Sequence, residues 1–190
     1  MKTKVAVVIL TLILILSSCV SFRDKPTSGV IGLDGIAQPS WVYKNVSSKD
    51  KFYATGYGKL SDRQASIKRA TLEAKNVIAE YIETSVKEVV TNYLSDAGTD
   101  GNREALDALE VVSVQVAEQS LVGVTTEEMW IDSDGGVWVL CSIPLENITR
   151  SFDPASQLIS EGFGGSTAAQ AANQKMREAL QTHLGEFSLP

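Results

Sequence analysis

The chain holds 190 residues, with 17 Lys and Arg against 23 Asp and Glu, for a formal charge of −6. That length supports one domain and is short for two. The acidic balance, with no basic patch carrying interleaved aromatics, argues against nucleic acid as a ligand.

Lys2 and Lys4 precede an apolar run at residues 5–16 that only Thr11 interrupts. About a dozen residues cannot span hydrocarbon, which needs roughly 20, but they suit the apolar region of a signal peptide. The following Leu16-Ser17-Ser18-Cys19 looks like a bacterial lipobox. The resemblance implies a signal peptide over residues 1–18, cleavage after Ser18, diacylglycerol on the Cys19 sulfur and a fatty acyl chain on the new amino terminus. Cys19 is thus the expected lipid-attachment residue and the lipid bilayer an expected partner. Two or more chains anchor stably where one does not. Val20, in the place where Asp would favour inner-membrane retention, points to the outer membrane. Without Lys2 and Lys4 the charge is about −8, so acyl chains rather than the protein surface are expected to hold the membrane. Residues 19–38 read as a lipidated flexible tether, rich in Ser, Gly, Pro and Lys and without a period. As a coil it spans roughly 25 Å.

The folded part is expected to start at Pro39-Ser40-Trp41-Val42, with an α+β domain over residues 39–152 and a linker and C-terminal helix over 153–190. Residues 51–58 read as a first strand, with Phe52 and Ala54 on one face and Tyr53 and Thr55 on the other. Gly56 and Gly58 mark its end, as a turn or a backbone lying close to a helix. Ser61, with Gln64 three residues on, has the form of a capping box. A long helix is expected from there to about residue 94, its stripe running through Ile67, Ala70, Ala74, Val77, Ile78, Tyr81, Ser85, Val89 and Tyr93. Lys68, Arg69, Lys75, Glu83 and Lys87 lie opposite. Residues 95–102 break it. Residues 103–120 read as a second helix with Leu106, Leu109, Val112 and Val116 on one side, although the alternation at 111–116 fits a strand equally well. A hairpin follows: a strand at 121–131 with Val122, Val124 and Trp130 on one face, a turn at Asp132-Ser133-Asp134-Gly135-Gly136, and a strand at 137–143 with Val137, Val139, Cys141 and Ile143 aligned. Pro144 ends it. Residues 145–152 read as a short helix, 160–166 as a glycine-rich link, and 167–184 as a last helix with Ala172, Met176, Ala179, Leu180 and Leu184 aligned.

No constellation of catalytic residues emerges. With Cys19 committed to lipid, Cys141 has no disulfide partner, and its strand context marks it as core. Residues 96–101 match part of a calcium loop, but Gly98, Arg103 and Asp107 stand where ligands or neutral residues belong. Asp132 and Asp134 are what a tight turn demands. Glu127, Glu128 and Glu146 supply carboxylates, yet no spacing singles out a pair. There is no Gly-x-Ser-x-Gly elbow, phosphate loop or zinc spacing. His183 reads as a surface residue of the terminal helix. No cofactor or metal is implied.

Several features together carry a family resemblance: the lipobox, Pro39-Ser40-Trp41-Val42, the aromatic strand with Gly56 and Gly58, the helix with Ala65, Ala70, Ala74 and Ala79, and the Trp130-Ile131-Asp132 and Gly135-Gly136-Val137-Trp138-Val139-Leu140 hairpin. Over residues 39–150 the chain resembles the LPP-twenty lipoprotein family of small bacterial envelope lipoproteins. The resemblance implies a membrane-anchored α+β domain and no catalytic residues. The fold expected is a small antiparallel sheet packed on the long amphipathic helix, with further helices covering it. The function expected is that of a non-enzymatic envelope lipoprotein that binds a protein partner or a second copy of itself. The alternative is a small-molecule or lipid pocket between sheet and helix, lined by Tyr53, Tyr81 and Trp138.

Overall fold

The structure, a computed structural model, describes residues 30–31, 35, 37–96, 103–162 and 167–187. Cys19 and the expected signal peptide lie outside the described residues. Within the expected tether, β1 (Val30–Ile31) pairs antiparallel with β2 (Ala37–Gln38), and a 3-10 turn follows at Ser40–Val42. The remaining elements are β3 (Lys51–Gly58), α1 (Arg63–Asp96), α2 (Arg103–Leu121), β4 (Thr125–Ile131), β5 (Val137–Pro144), α3 (Leu145–Gly162) and α4 (Thr167–Phe187). The fold is α+β, with the long helix packed on a three-stranded antiparallel sheet of order β3-β5-β4.

Alternation along the central strand puts Val137, Val139, Cys141 and Ile143 on the inner face, all fully buried. Across from them on β3 stand Gly58, Gly56, Ala54 and Phe52. The two glycines set the distance to α1. A Cβ on Gly56 would fall far inside contact with the Ala70 carbonyl oxygen and 2.5 Å from the Ala74 nitrogen, and one on Gly58 would meet Ser66 and Ala70 backbone. The Gly-x-Gly pair is thus a close approach of strand and helix.

On α1 the expected stripe residues Ala70, Ala74, Ile78, Ser85 and Val89 are buried, and a line of buried residues recurring every four, Ser66, Ala70, Ala74, Ile78, Ile82, Val86 and Val90, widens that face. Such a line drifts around a helix by roughly 40° per step. The first half of α1 therefore faces the sheet and the second half faces α2 and α4. This brings in Ile82, Val86 and Val90, and it leaves Val77 39% exposed. The cap also differs from the sequence reading. Asp62, not Ser61, accepts from the Ala65 amide at 2.8 Å. Ser66 donates to the Asp62 carbonyl and accepts from the Leu60 amide, both at 2.9 Å, which fixes the β3–α1 turn.

The segment 111–116 is helical, with Val112 and Val116 buried and Val111 and Val114 exposed. The side chains of Leu106, Leu109 and Ala172 and residues 97–102, most of the tested calcium loop, lie outside the described residues. β4 starts at Thr125, because the Gly123 and Val124 amides close the end of α2 onto Ser120 and Leu121; Val122, expected in the strand core, is 89% exposed. α3 is not short. Anchored by buried Ile148 and Phe152, it continues through Pro154 to Gly162, over the start of the expected link. On α4, Met176, Leu180 and Leu184 are buried in the same core as the sheet, whereas Ala179 faces solvent.

Candidate functional site

Among the described residues the three-stranded open sheet has two free edges, and hydrogen-bond parity says which backbone groups face out. The Leu145 amide donates to the Asp50 carbonyl at 2.9 Å, so the even-numbered residues of β3 spend their backbone groups on β5. Pro144, opposite Lys51, has no N–H to give. The outward groups of β3 therefore belong to Lys51, Tyr53, Thr55 and Tyr57. On β4 the Asp132 amide bonds to the Gly136 carbonyl at 2.9 Å, which by the same parity turns the groups of Met129 and Ile131 outward.

The two edges differ. β4 carries a register shift between Thr126 and Glu128 and two adjacent carboxylates, devices that blunt pairing over its first half and leave Glu128 to Ile131 regular. β3 has neither bulge nor proline along its eight residues. A cleft of about 770 Å³ runs along it, floored by residues 51–55 and walled on one side by Lys44, Val46 and Ser47 and on the other by Val77 and Tyr81 of α1. The Tyr81 ring lies flat on Phe52, with centroids 3.8 Å apart and planes within 2°. Burial pushes the Tyr81 phenol above its ordinary pKa, which keeps it neutral. A smaller pocket of about 290 Å³ shares Phe52, Val77 and Tyr81 and extends to Glu88 and His183. His183 is not a surface residue: its side chain is 14% exposed, with Nε2 3.6 Å from Glu88 Oε2.

Of the three residues expected to line a pocket, Tyr53 and Tyr81 line this cleft. Trp138 does not. It lies on the outer sheet face against Tyr57, at 4.7 Å between tilted rings. The space between sheet and helix is closed by Gly56 and Gly58, so the cavity opens at the sheet edge instead. Trp41 crosses the outer face, 5% exposed, with its Nε1–H donating to Glu128 at 2.6 Å. It packs the segment that leads into β3 onto the sheet.

The carboxylates do not converge. Glu127 accepts from Lys51 at 2.8 Å and from the buried Ser142 hydroxyl at 2.5 Å, and these bonds, the lysine's foremost, hold it below the usual carboxylate range. Glu128 serves Trp41. Glu146 is exposed and pairs with Arg150 at 2.6 Å. In the hairpin turn the Gly136 amide donates to Asp132 at 2.6 Å, and Lys59 pairs with Asp134. The bond with Asp132, then that with Lys59, holds Asp134 down at about 2, while burial, then Asp134, raises Asp132. Gly135, at φ 84°, makes the turn. Cys141 is a buried free thiol whose pKa is raised by burial, with Thr126 at 3.8 Å. Among the described residues no group of three or more His, Cys, Asp or Glu is placed to hold a metal, and no helix is long and apolar enough to cross a membrane. The roles of Ser142, Lys51 and the Trp41–Glu128 bond were not read from sequence, because they depend on a strand pairing that sequence spacing does not reveal.

No family model, curated protein or solved structure matches this chain.

Proposed function

We propose that the chain is a non-enzymatic lipoprotein of the bacterial envelope, held in the outer membrane through acylated Cys19, and that its domain works by binding protein. The observation that carries the binding part is the cleft along β3. It offers a row of free main-chain donors and acceptors between two walls, and main-chain pairing of this kind recognises an extended segment of protein. The anchor rests on the Lys2/Lys4 start, the apolar run and the Leu16-Ser17-Ser18-Cys19 motif. Membership of the LPP-twenty lipoprotein family is proposed on the motifs quoted above.

Two experiments test the reading. A Cys19→Ala variant is expected to lose palmitate labelling and to leave the membrane fraction; retention of both overturns the anchor. A photocrosslinking residue at Val77, in the cleft, is expected to trap a discrete protein adduct in intact envelopes, while one at exposed Glu118 on α2 traps none. Equal labelling at both overturns the docking site. The second reading, a small-molecule or lipid pocket, is favoured by the aromatic lining of Phe52, Tyr53 and Tyr81. A defined ligand mass retained by the native protein, and lost in a Tyr81→Ala variant, would support it over the first.

A further inference from the structure

The two free edges fit each other. On β3 the cleft asks for a strand with apolar side chains toward Val77 and Tyr81 on the inner side, and with acidic or polar ones toward Lys44 on the outer side. Lys44 makes no ion pair among the described residues. β4 has that pattern. Its inner-face side chains Met129 and Ile131 are 44% and 38% exposed, because α1 covers β3 and β5 but stops short of β4. Its outer-face side chains include Glu128 and Trp130, with Glu127 displaced beside them by the register shift. We propose that the β3 edge of one copy receives the β4 edge of a second copy, in parallel, so that the sheets join head to tail.

Parity of the backbone groups supports the direction. In a parallel pair a residue bonds to the two neighbours of the residue opposite it. Thr55, an outer-face residue with outward groups, then sits opposite Trp130 of the second copy, also outer-face, and bonds to Met129 and Ile131 of that copy, whose groups face outward. Outer face meets outer face. An antiparallel β3–β4 junction would place outer-face Thr55 directly opposite inner-face Met129 or Ile131 and turn the second copy over. The parallel junction keeps the Trp41 end of every tether segment on one side of the sheet, as anchoring in a single membrane requires. In the Thr55–Trp130 register, Ala54 and Gly56 lie beside Met129 and Ile131 of the second copy. Lys51 comes beside the Thr126–Glu127 shift. A β3-to-β3 pair also preserves the faces, but it brings Lys51 and tyrosines to Lys44 and no carboxylate. The β3–β4 contact is heterologous, so it does not close at two copies but continues into a ring or filament.

This inference rests on the reading of the domain as a protein-binding module and names the partner. The test uses the detergent-solubilised full-length chain, with size measured by sedimentation over a range of concentrations. Thr55→Pro removes one outward N–H of β3 and spares the ladder to β5, since proline is tolerated at such an edge position. Met129→Asp puts charge into the inner side of the β4 edge. The wild type is expected to form species larger than a dimer as concentration rises. Each variant alone is expected to be monomeric, and the two mixed to give a one-to-one dimer and nothing larger, because only one productive edge remains on each. Circular dichroism and thermal melting of each variant establish that it is folded. A Tyr57→Pro and an Ile131→Asp variant repeat the test where either first variant fails to fold. A wild type that stays monomeric, or a dimer that Thr55→Pro abolishes and Met129→Asp leaves intact, overturns the proposal. In the first case a discrete adduct of another protein at Val77 would leave the protein-binding reading standing.

Discussion

Gly56→Ala adds one methyl group where there is no space. The obstacle is the Ala70 carbonyl oxygen and, at 2.5 Å, the Ala74 nitrogen, against the 3.4 Å at which ordinary contact begins. Neither atom can swing aside as a flexible side chain would. Either α1 moves off the sheet by most of an ångström or β3 buckles. A gap of 0.5–1 Å forfeits roughly a quarter to a half of each contact's dispersion energy, and overpacking of this kind costs about 1–3 kcal/mol. Backbone against backbone belongs at the upper end, so we expect about 3 kcal/mol. In urea, with a slope of roughly 1–3 kcal/mol/M, the unfolding midpoint falls by at least about 1 M. The control is Ala70→Gly. It costs about 1 kcal/mol as a glycine inside a helix, and because the clash is with main chain, it should not rescue Gly56→Ala. A Gly56→Ala variant within about 0.5 kcal/mol of wild type, or one restored by Ala70→Gly, would refute the account of how strand and helix meet.

Three further outcomes are expected. Trp41→Phe keeps the ring on the sheet and loses the hydrogen bond to Glu128; bonds to a charged group contribute about 1.5–3 kcal/mol, so equilibrium denaturation should register a loss in that range. Glu127→Gln tests the Lys51 pair through pH: Glu127, lowered from 4.5, contributes in full above that value and loses its contribution as pH falls through its lower folded value, whereas Lys51, raised from 10.5, loses its own only as pH rises past that value. The melting difference between wild type and Glu127→Gln should therefore be flat across neutral pH and shrink below about 4.5; a difference that grows on acidification contradicts this. Cys141, fully buried and with its thiol held neutral by burial, should react with a maleimide only at the rate of unfolding, and fast labelling of the native protein would show that the inner face opens.

What could be read from the sequence was local. The hairpin was legible because Val137, Val139, Cys141 and Ile143 alternate around an Asp-Gly turn, and a central strand of three has no other way to bury one face. The close approach at Gly56 and Gly58 was legible in part, since a Gly-x-Gly pair allows either a turn or a backbone lying against a helix and only the packing decides between them. The long helix was legible as a helix and in most of its facing: of the expected stripe, Ala70, Ala74, Ile78, Ser85 and Val89 are buried and only Val77 is exposed. What the stripe missed is the width of the buried face, which also takes in Ile82, Val86 and Val90 where α1 meets the helical layer and leaves Val77 outside. The sequence reading ended α3 at residue 152, whereas the helix, held on the core by Ile148 and Phe152, runs on through Pro154 to Gly162.

The cleft was the least legible part, and the reason bears on function. The alternative reading placed a pocket between the layers, lined by the aromatics Tyr53, Tyr81 and Trp138. Gly56 and Gly58 close that gap, and the same closure pins α1 over β3 and β5. A helix pinned there cannot reach β4, so Met129 and Ile131 stay exposed at one edge while Val77 and Phe52 form a walled groove at the other. Both surfaces thus follow from one packing distance. Gly56→Ala, by moving α1, should disturb association as well as stability. Val122→Ser, at an 89% exposed site in the turn before β4, should disturb neither.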